Sequence, residues 1–280
     1  MPNNKLELSV VVTCYKKPEL LKLALKTLID QTIPPREIIV ADDGSGEENF
    51  EVSREIRAAT SIPIVHVWQP DEGFRLNRSR NNAIANATGE YIVMLDGDCF
   101  VNKYFVEDHI SAARYERFVA GTRVHVDPER RDYIIRTGDT RVTFFTPRTT
   151  KKQYAIRSKA LSSLLSKDGT PYSSYADAIG ANLGFWTADA ERVNGFNEVF
   201  VGYGDDDVEF CNRLSYSGVV RYKMRHLGMA YHFKHSDRNR IVREDFERKL
   251  AESVEENRYR VRDGFGLDRA QKDSSLRIER

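Results

Sequence analysis

Cysteine is scarce: the 280 residues carry only 3, at Cys14, Cys99 and Cys211. An odd number without paired spacing excludes a disulfide framework and suits a reducing compartment. A charge excess of one sign is also missing, with 43 Lys and Arg against 42 Asp and Glu. That excludes the broad basic surface of a nucleic-acid binder and leaves any polyanion site to be local. Long hydrophobic runs are absent too, none approaching the ~18 apolar residues of a membrane span. The opening MPNNKLELSVVVTCYKKP lacks the length and flanks of a signal peptide. The expectation is a cytoplasmic protein, with peripheral contact to the inner face of a membrane left open.

What is present is alternation. Leu6 to Thr13 ends in a β-branched run, and Pro18 then opens a helix whose apolar stripe is Leu21, Ala24, Leu25 and Leu28. The pattern recurs, with strands at Glu37 to Ala41, Ile62 to Trp68 and Tyr91 to Leu95 and helices at Glu47 to Ala59 and Asn77 to Ala87. Strands spaced by helices imply a parallel sheet with right-handed crossovers. Ligands of such sheets bind beyond the carboxyl ends of the strands. The residues there are Thr13 to Tyr15, Asp42-Asp43-Gly44-Ser45 and Asp96-Gly97-Asp98.

Beyond Phe100 the periodicity weakens to a helix near Tyr104 to Tyr115 and a strand near Phe118 to Val124. Arg123 to Lys159 holds ten Lys or Arg and four Asp or Glu, an excess of +6, and reads as a basic, partly mobile insert. Val208, Cys211 and Leu214 form a helical stripe closed by Gly218, and Ile241 to Arg280 reads as a charged helical extension with a loose tail.

Several of these residues suit chemistry. Asp96 and Asp98 flank a glycine at a strand end, where two converging carboxylates favour a divalent cation completed by phosphate oxygens. Asp42 and Asp43 read equally as nucleoside contacts or as a turn and helix cap. Tyr15 is placed to stack on a nucleobase or to cover the core. Arg80 follows Arg78 in the start of a helix, where cations are disfavoured, and a diphosphate would relieve that cost. Asp205-Asp206-Asp207 opens another helix, and capping needs one acid rather than three, which leaves one to take a proton. His232 ends the short apolar run Met229-Ala230-Tyr231, whereas His66, His109, His125, His226 and His235 show no such placement.

Together these motifs resemble the family 2 glycosyltransferases of the GT-A fold, from about Leu6 to His235, and the second half resembles a galactosyltransferase-type C-terminal region. The resemblance implies an α/β, doubly wound, mostly parallel sheet with helices on both faces and a smaller antiparallel acceptor-side part. Its domain would span 1–240, with a nucleotide-sugar half at 1–100, an acceptor half at 101–240 and an extension at 241–280. Thr13, Tyr15, Asp42, Asp43, Arg80 and Asp96 would hold the nucleotide sugar. Asp96, Asp98 and His232 would hold Mn2+ or Mg2+. Tyr203-Gly204-Asp205-Asp206-Asp207 resembles the family's Trp-Gly-Gly-Glu-Asp motif, with Arg213 at the expected step down the helix. That register implies Asp207 as catalytic base, with Asp206 beside it, and Asn182, Trp186 and Tyr203 on the acceptor.

The implied reaction is inverting transfer from a UDP-sugar to a glycan or lipid-linked glycan. A sugar nucleotidylyltransferase is the alternative enzyme, although the chain has no N-terminal Gly-rich phosphate loop. A non-catalytic nucleotide-sugar or glycan-binding module is the alternative outside enzymes.

Overall fold

The computed structural model describes residues 6–170, 180–202, 204, 206–234, 248, 251–252 and 259–280. Two sheets organise them. The larger runs β13-β3-β2-β1-β4-β10-β6-β11-β9, from strands β1 (Leu8–Cys14), β2 (Glu37–Asp42), β3 (Ile64–Trp68), β4 (Tyr91–Asp96), β6 (Arg117–Ala120), β9 (Lys167–Asp168), β10 (Asn182–Trp186), β11 (Val220–Lys223) and β13 (Arg277–Glu279). The smaller runs β5-β12-β7-β8, from β5 (Cys99–Val101), β7 (Arg123–Val126), β8 (Thr149–Thr150) and β12 (Ala230–Phe233).

Strands β1 to β4 are parallel to one another, and β10 runs against β4. The parallel strands are apolar throughout because both faces are covered. Val10, Val12, Ile38 and Val40 pack on one face with Leu21, Ala24, Leu25 and Leu28 of α1 (Pro18–Ile29). Val11, Ile39 and Ala41 pack on the other with Ala83 and Ile84 of α3 (Leu76–Ala85) and with Phe210, Cys211 and Leu214 of the helix Asp206–Tyr216. This is the doubly wound α/β architecture expected, with α2 (Glu47–Ala58) supplying the second crossover.

Three departures from the sequence reading have physical causes. The strand expected over Phe118 to Val124 is two strands in different sheets, because Gly121 and Thr122 turn the chain between β6 and β7. The basic stretch 123–159 is built rather than loose, containing β7, a helix at Pro128–Thr137, β8 and a 3-10 turn at Lys152–Ala155. Its four acids are all paired, Asp127 with Lys234, Glu129 with Arg148, Asp132 with Arg131 and Asp139 with Arg141. At the C-terminus, residues 259–280 are no loose tail. Leu267 and Ala270 bury against the core that contains α3, and β13 adds to the edge strand β3 with Ile278 opposite Val67.

A buried histidine ties the two sheets together. Asn182 is fully buried, and its amide donates to the carbonyls of Thr122 and Gly228, both at 2.9 Å. Its Oδ1 must then accept, so His109 Nε2 donates to it at 2.9 Å. Burial pushes the His109 pKa down to about 4, so the folded protein keeps this imidazole neutral. Between pH 6.5 and 4 the unfolded chain takes up a proton that the folded one refuses, and stability falls with falling pH. The cost reaches about 3 kcal/mol near pH 4. Denaturant unfolding of the wild type and His109→Gln across that range should show a smaller acid loss in the variant; identical slopes would remove His109 from the cause.

Candidate active site

The site gathers at the carboxyl ends of β1 and β4. Here the Asp96-Gly97-Asp98 turn folds back on β1, and the Gly97 amide donates to the Thr13 carbonyl at 2.7 Å. A Cβ at residue 97 would lie 2.4 Å from that carbonyl oxygen, so the close approach requires glycine. The Thr13 hydroxyl donates to Asp96 Oδ1 at 3.2 Å, which fixes the first carboxylate of the pair. Tyr15 stands just beyond, its ring 42% exposed and its phenol tied to Asp71 and Lys16. An exposed ring anchored at its hydroxyl is a surface on which a flat base can stack.

Asp98 enters β5, which pairs antiparallel with β12 so that His232 lies opposite Cys99. His232 Nε2 is 3.3 Å from Asp98 Oδ1. Asp98, Cys99 and His232 bring one ligand atom each within 4.8 Å of one another. A carboxylate oxygen and an imidazole nitrogen suit a divalent ion of the Mn2+ class, so these residues fit the expected metal. Asp96 is not in that group. On the other side of β12 lies β7, with His125 directly opposite His232 and the two rings 5.6 Å apart. His125 therefore joins the strand-end placement that its sequence surroundings did not show.

The acidic pair comes from the helix Asp206–Tyr216. Asp206 is buried and salt-bridged to Arg80, which is itself 4% exposed, bonded to Asn77 Oδ1 at 3.1 Å and stacked over Phe196. The strain of an arginine near the start of α3 is thus relieved by Asp206, not by an open phosphate site. Asp207 accepts from the Gly180 amide at 2.6 Å and the Val208 amide at 2.9 Å. Burial first, and then the neighbouring Asp206 charge, push the Asp207 pKa up to about 7, against the opposing pull of Arg80. Arg213, the expected marker of this register, is buried one turn below, paired with Glu209 and donating to the carbonyls of Val193 and Gly195. It holds the helix in place rather than touching the site.

Other sequence-selected residues lie elsewhere. Asp42 has no exposed surface: its carboxylate accepts from the Ser45 amide at 2.8 Å and pairs with buried His66 at 2.9 Å. Asp43, 3% exposed, accepts from the Gln69 side chain and the Arg75 amide, and burial raises its pKa to about 6. Both carboxylates are spent on ordering turns. Trp186 sits at the wrong edge, because antiparallel pairing puts Asn182 opposite Leu95 but Trp186 opposite Tyr91, at the far end of β4. Its indole donates to the Arg114 carbonyl and its ring stacks on Tyr115. Asn182 is at the correct edge but consumed by the contacts described above. Tyr203 and Asp205 lie outside the described residues. Gly180, which by resemblance opens the strand that underlies donor and acceptor, is brought by the fold to donate its amide to Asp207.

A Cβ on Gly180 would stand 2.8 Å from Arg80 Nη2 and 3.5 Å from Asp207 Cβ. Arg80 is pinned by Asp206, Asn77 and Phe196 and cannot yield cheaply. Gly180→Ala should therefore lower stability by about 1–3 kcal/mol and disturb the base as well. Thermal unfolding checks the first, and an unchanged melting temperature would show that Arg80 moves freely.

The strand ends of the doubly wound sheet thus hold an acidic turn, an exposed aromatic and a carboxylate of near-neutral pKa, on a fold of the GT-A class. Residues 9–165, more than half of the chain, match the family described as Glycosyl transferase family 2, and the chain belongs to it. Residues 162–236 match the N-terminal domain of galactosyltransferase. Chondroitin synthase of Escherichia coli is 29% identical over 241 residues, which cover 80% of this chain and 34% of that protein. Validoxylamine A glucosyltransferase of Streptomyces hygroscopicus subsp. limoneus is 28% identical over 238 residues, 76% of this chain and 48% of that one. The chain thus spans about a third to a half of these relatives. Among solved structures, the mannosyltransferase PcManGT from Pyrobaculum calidifontis, in complex with GDP-Man and Mn2+, aligns with a TM-score of 0.56 at 17% identity, covering 85% of this chain and 59% of that one.

Proposed function

We propose that the chain is an inverting, metal-dependent glycosyltransferase, moving a sugar from a UDP-sugar to a hydroxyl of a glycan or lipid-linked glycan. It would act in the cytoplasm. The observation that carries the reading is Asp207: a half-buried carboxylate, oriented by two backbone amides, with its pKa raised to about 7 at the mouth of the parallel sheet. A base poised near the working pH is what deprotonation of a sugar hydroxyl requires.

In this reading Tyr15 stacks on the base and Asp96 lies toward the ribose. Asp98 and His232 hold the divalent ion, which when bound offsets charge on the departing diphosphate. Support for a metal comes from the fit of the Asp98 and His232 donor set and from Mn2+ in the PcManGT complex. Further positive charge comes from Arg123 and Lys151 beside the same strands. Neither has a carboxylate partner among the described residues, and burial, then repulsion from Arg123 and Lys223, hold Lys151 below its ordinary pKa. The acceptor hydroxyl gives its proton to Asp207 as its oxygen attacks the anomeric carbon in line, and the configuration inverts. Arg80 acts through Asp206 as a positioning residue, holding that second carboxylate apart from the base and opposing the upward push of burial on its pKa.

Only ionised Asp207 can accept the proton, so kcat/KM should fall tenfold per pH unit below about 7 and level off above it. Asp206→Asn removes the negative neighbour while leaving Arg80, which stabilises the Asp207 anion; the acid limb should move to lower pH. A limb that stays fixed in that variant belongs to another group. The reaction itself is tested by incubating the protein with a panel of nucleotide sugars and Mn2+ and detecting released nucleoside diphosphate. Release from one UDP-sugar identifies the donor, and release from none by folded protein removes the proposal.

A further inference from the structure

The second sheet brings to the metal pole a residue that the expected ligand set of Asp96, Asp98 and His232 omits. Cys99 follows Asp98 directly and lies opposite His232 in the β5–β12 ladder, so their side chains share a face of the sheet. Its neighbours Phe100, Tyr231 and Phe233 point to the opposite face, where they stack on one another. Cys99 is 1% exposed, and its Sγ stands 4.0 Å from the Asp98 carboxylate oxygen that itself is 3.3 Å from His232 Nε2. Asp96, by contrast, is engaged with Thr13 and stands outside this group.

We propose that Cys99 is a third protein ligand and that the Asp98, Cys99 and His232 set takes a thiophilic divalent ion of the Zn2+ type. This rests on the reading of Asp98 and His232 as the metal pole. The geometry is close to what such an ion needs. Oxygen and nitrogen bonds of about 2.0–2.1 Å at a tetrahedral angle place the two ligand atoms roughly 3.3–3.4 Å apart, and the observed separation is 3.3 Å. A zinc–sulfur bond of about 2.3 Å sets the sulfur–oxygen edge near 3.6 Å, so the thiol must approach Asp98 by about 0.4 Å. Three protein ligands leave the fourth tetrahedral position open to water or a phosphate oxygen.

The exchange balances simply. The sulfur–hydrogen bond breaks, its proton passes to solvent, and the sulfur lone pair forms the bond to the ion. Without an ion, burial and the nearby Asp98 and Asp96 carboxylates keep the thiol protonated. A hard ion such as Mn2+ gains little from sulfur and is satisfied by Asp98, His232 and donor oxygens, whereas a soft or borderline ion gains the thiolate. The same pole would then hold two kinds of ion through two overlapping ligand sets.

Tighter Zn2+ than Mn2+ binding would not decide the matter, since most nitrogen and oxygen sites share that order. Titrating the metal-stripped protein with Co2+ and recording the near-ultraviolet spectrum does decide it. The expected result is a thiolate-to-cobalt charge-transfer band that grows to one equivalent and is lost when Zn2+ displaces the cobalt. Cys99→Ser should abolish the band and reduce the ratio of Mn2+ to Zn2+ dissociation constants by about tenfold or more. Because the wild-type spectrum is decisive alone, a variant that fails to fold does not rescue the proposal. Cobalt bound without the band would overturn the assignment of Cys99 and leave the metal pole standing. No binding of Co2+, Zn2+ or Mn2+ would overturn both.

Discussion

Asp207→Asn should reduce sugar transfer by roughly 10²–10⁴ while leaving donor affinity nearly intact. The asparagine preserves the size of the side chain, but the Gly180 and Val208 amides reach different carboxylate oxygens and its single oxygen can keep only one of them, so a melting temperature near that of the wild type is the control for the intact scaffold. What is lost is a group that gains a proton only as the bond forms, and such a loss appears in kcat and kcat/KM together. Asp206→Asn should be milder in rate, because Asp206 faces Arg80 rather than the reacting hydroxyl. A dead Asp206→Asn beside an active Asp207→Asn would reverse these roles.

Asp98→Ala should abolish metal-dependent binding of a UDP-sugar. One Asp98 carboxylate oxygen lies 3.3 Å from His232 Nε2 and 4.0 Å from Cys99 Sγ. Losing even an outer partner of a metal ligand costs roughly 10–100-fold in affinity, and losing the ligand costs at least that. Calorimetry with UDP in the presence and absence of Mn2+ separates the outcomes. Wild type should bind more tightly with the ion, and Asp98→Ala should bind equally weakly in both conditions. Undiminished metal-dependent binding would take Asp98 out of the site.

The parallel half of the fold was legible because each strand and helix carries its own period. Val10 to Val12 is buried on both faces and reads as a continuous apolar run, and the Leu21, Ala24, Leu25, Leu28 stripe repeats with the turn of a helix. Strand ends follow from such elements, which is why Asp96 and Asp98 could be selected from sequence, whereas Asp207 was selected from the acidic start of a helix. Their neighbours were not, since contacts such as Asp42 with His66 or Arg80 with Asp206 depend on packing between distant segments. Strand direction was equally hidden. Trp186 was expected near the acceptor from the family resemblance, yet antiparallel pairing carries it to the far edge, while Gly180, just before the strand, meets Asp207. His125 and Cys99 emerge only from the register of the second sheet, whose strands are two to four residues long and carry too little pattern to be read alone.

The most direct test of the central claim is transfer itself. Wild-type protein, its UDP-sugar and Mn2+ are incubated with neutral and anionic oligosaccharides, and products are followed by mass and by proton NMR of the new linkage. The expected result is an acceptor heavier by one sugar residue, with anomeric configuration opposite to the donor's, formed only while the divalent ion is present. A product that retains the donor's configuration would contradict an attack by a hydroxyl deprotonated at Asp207. Folded protein that binds no nucleotide sugar and extends no acceptor would contradict the function as a whole.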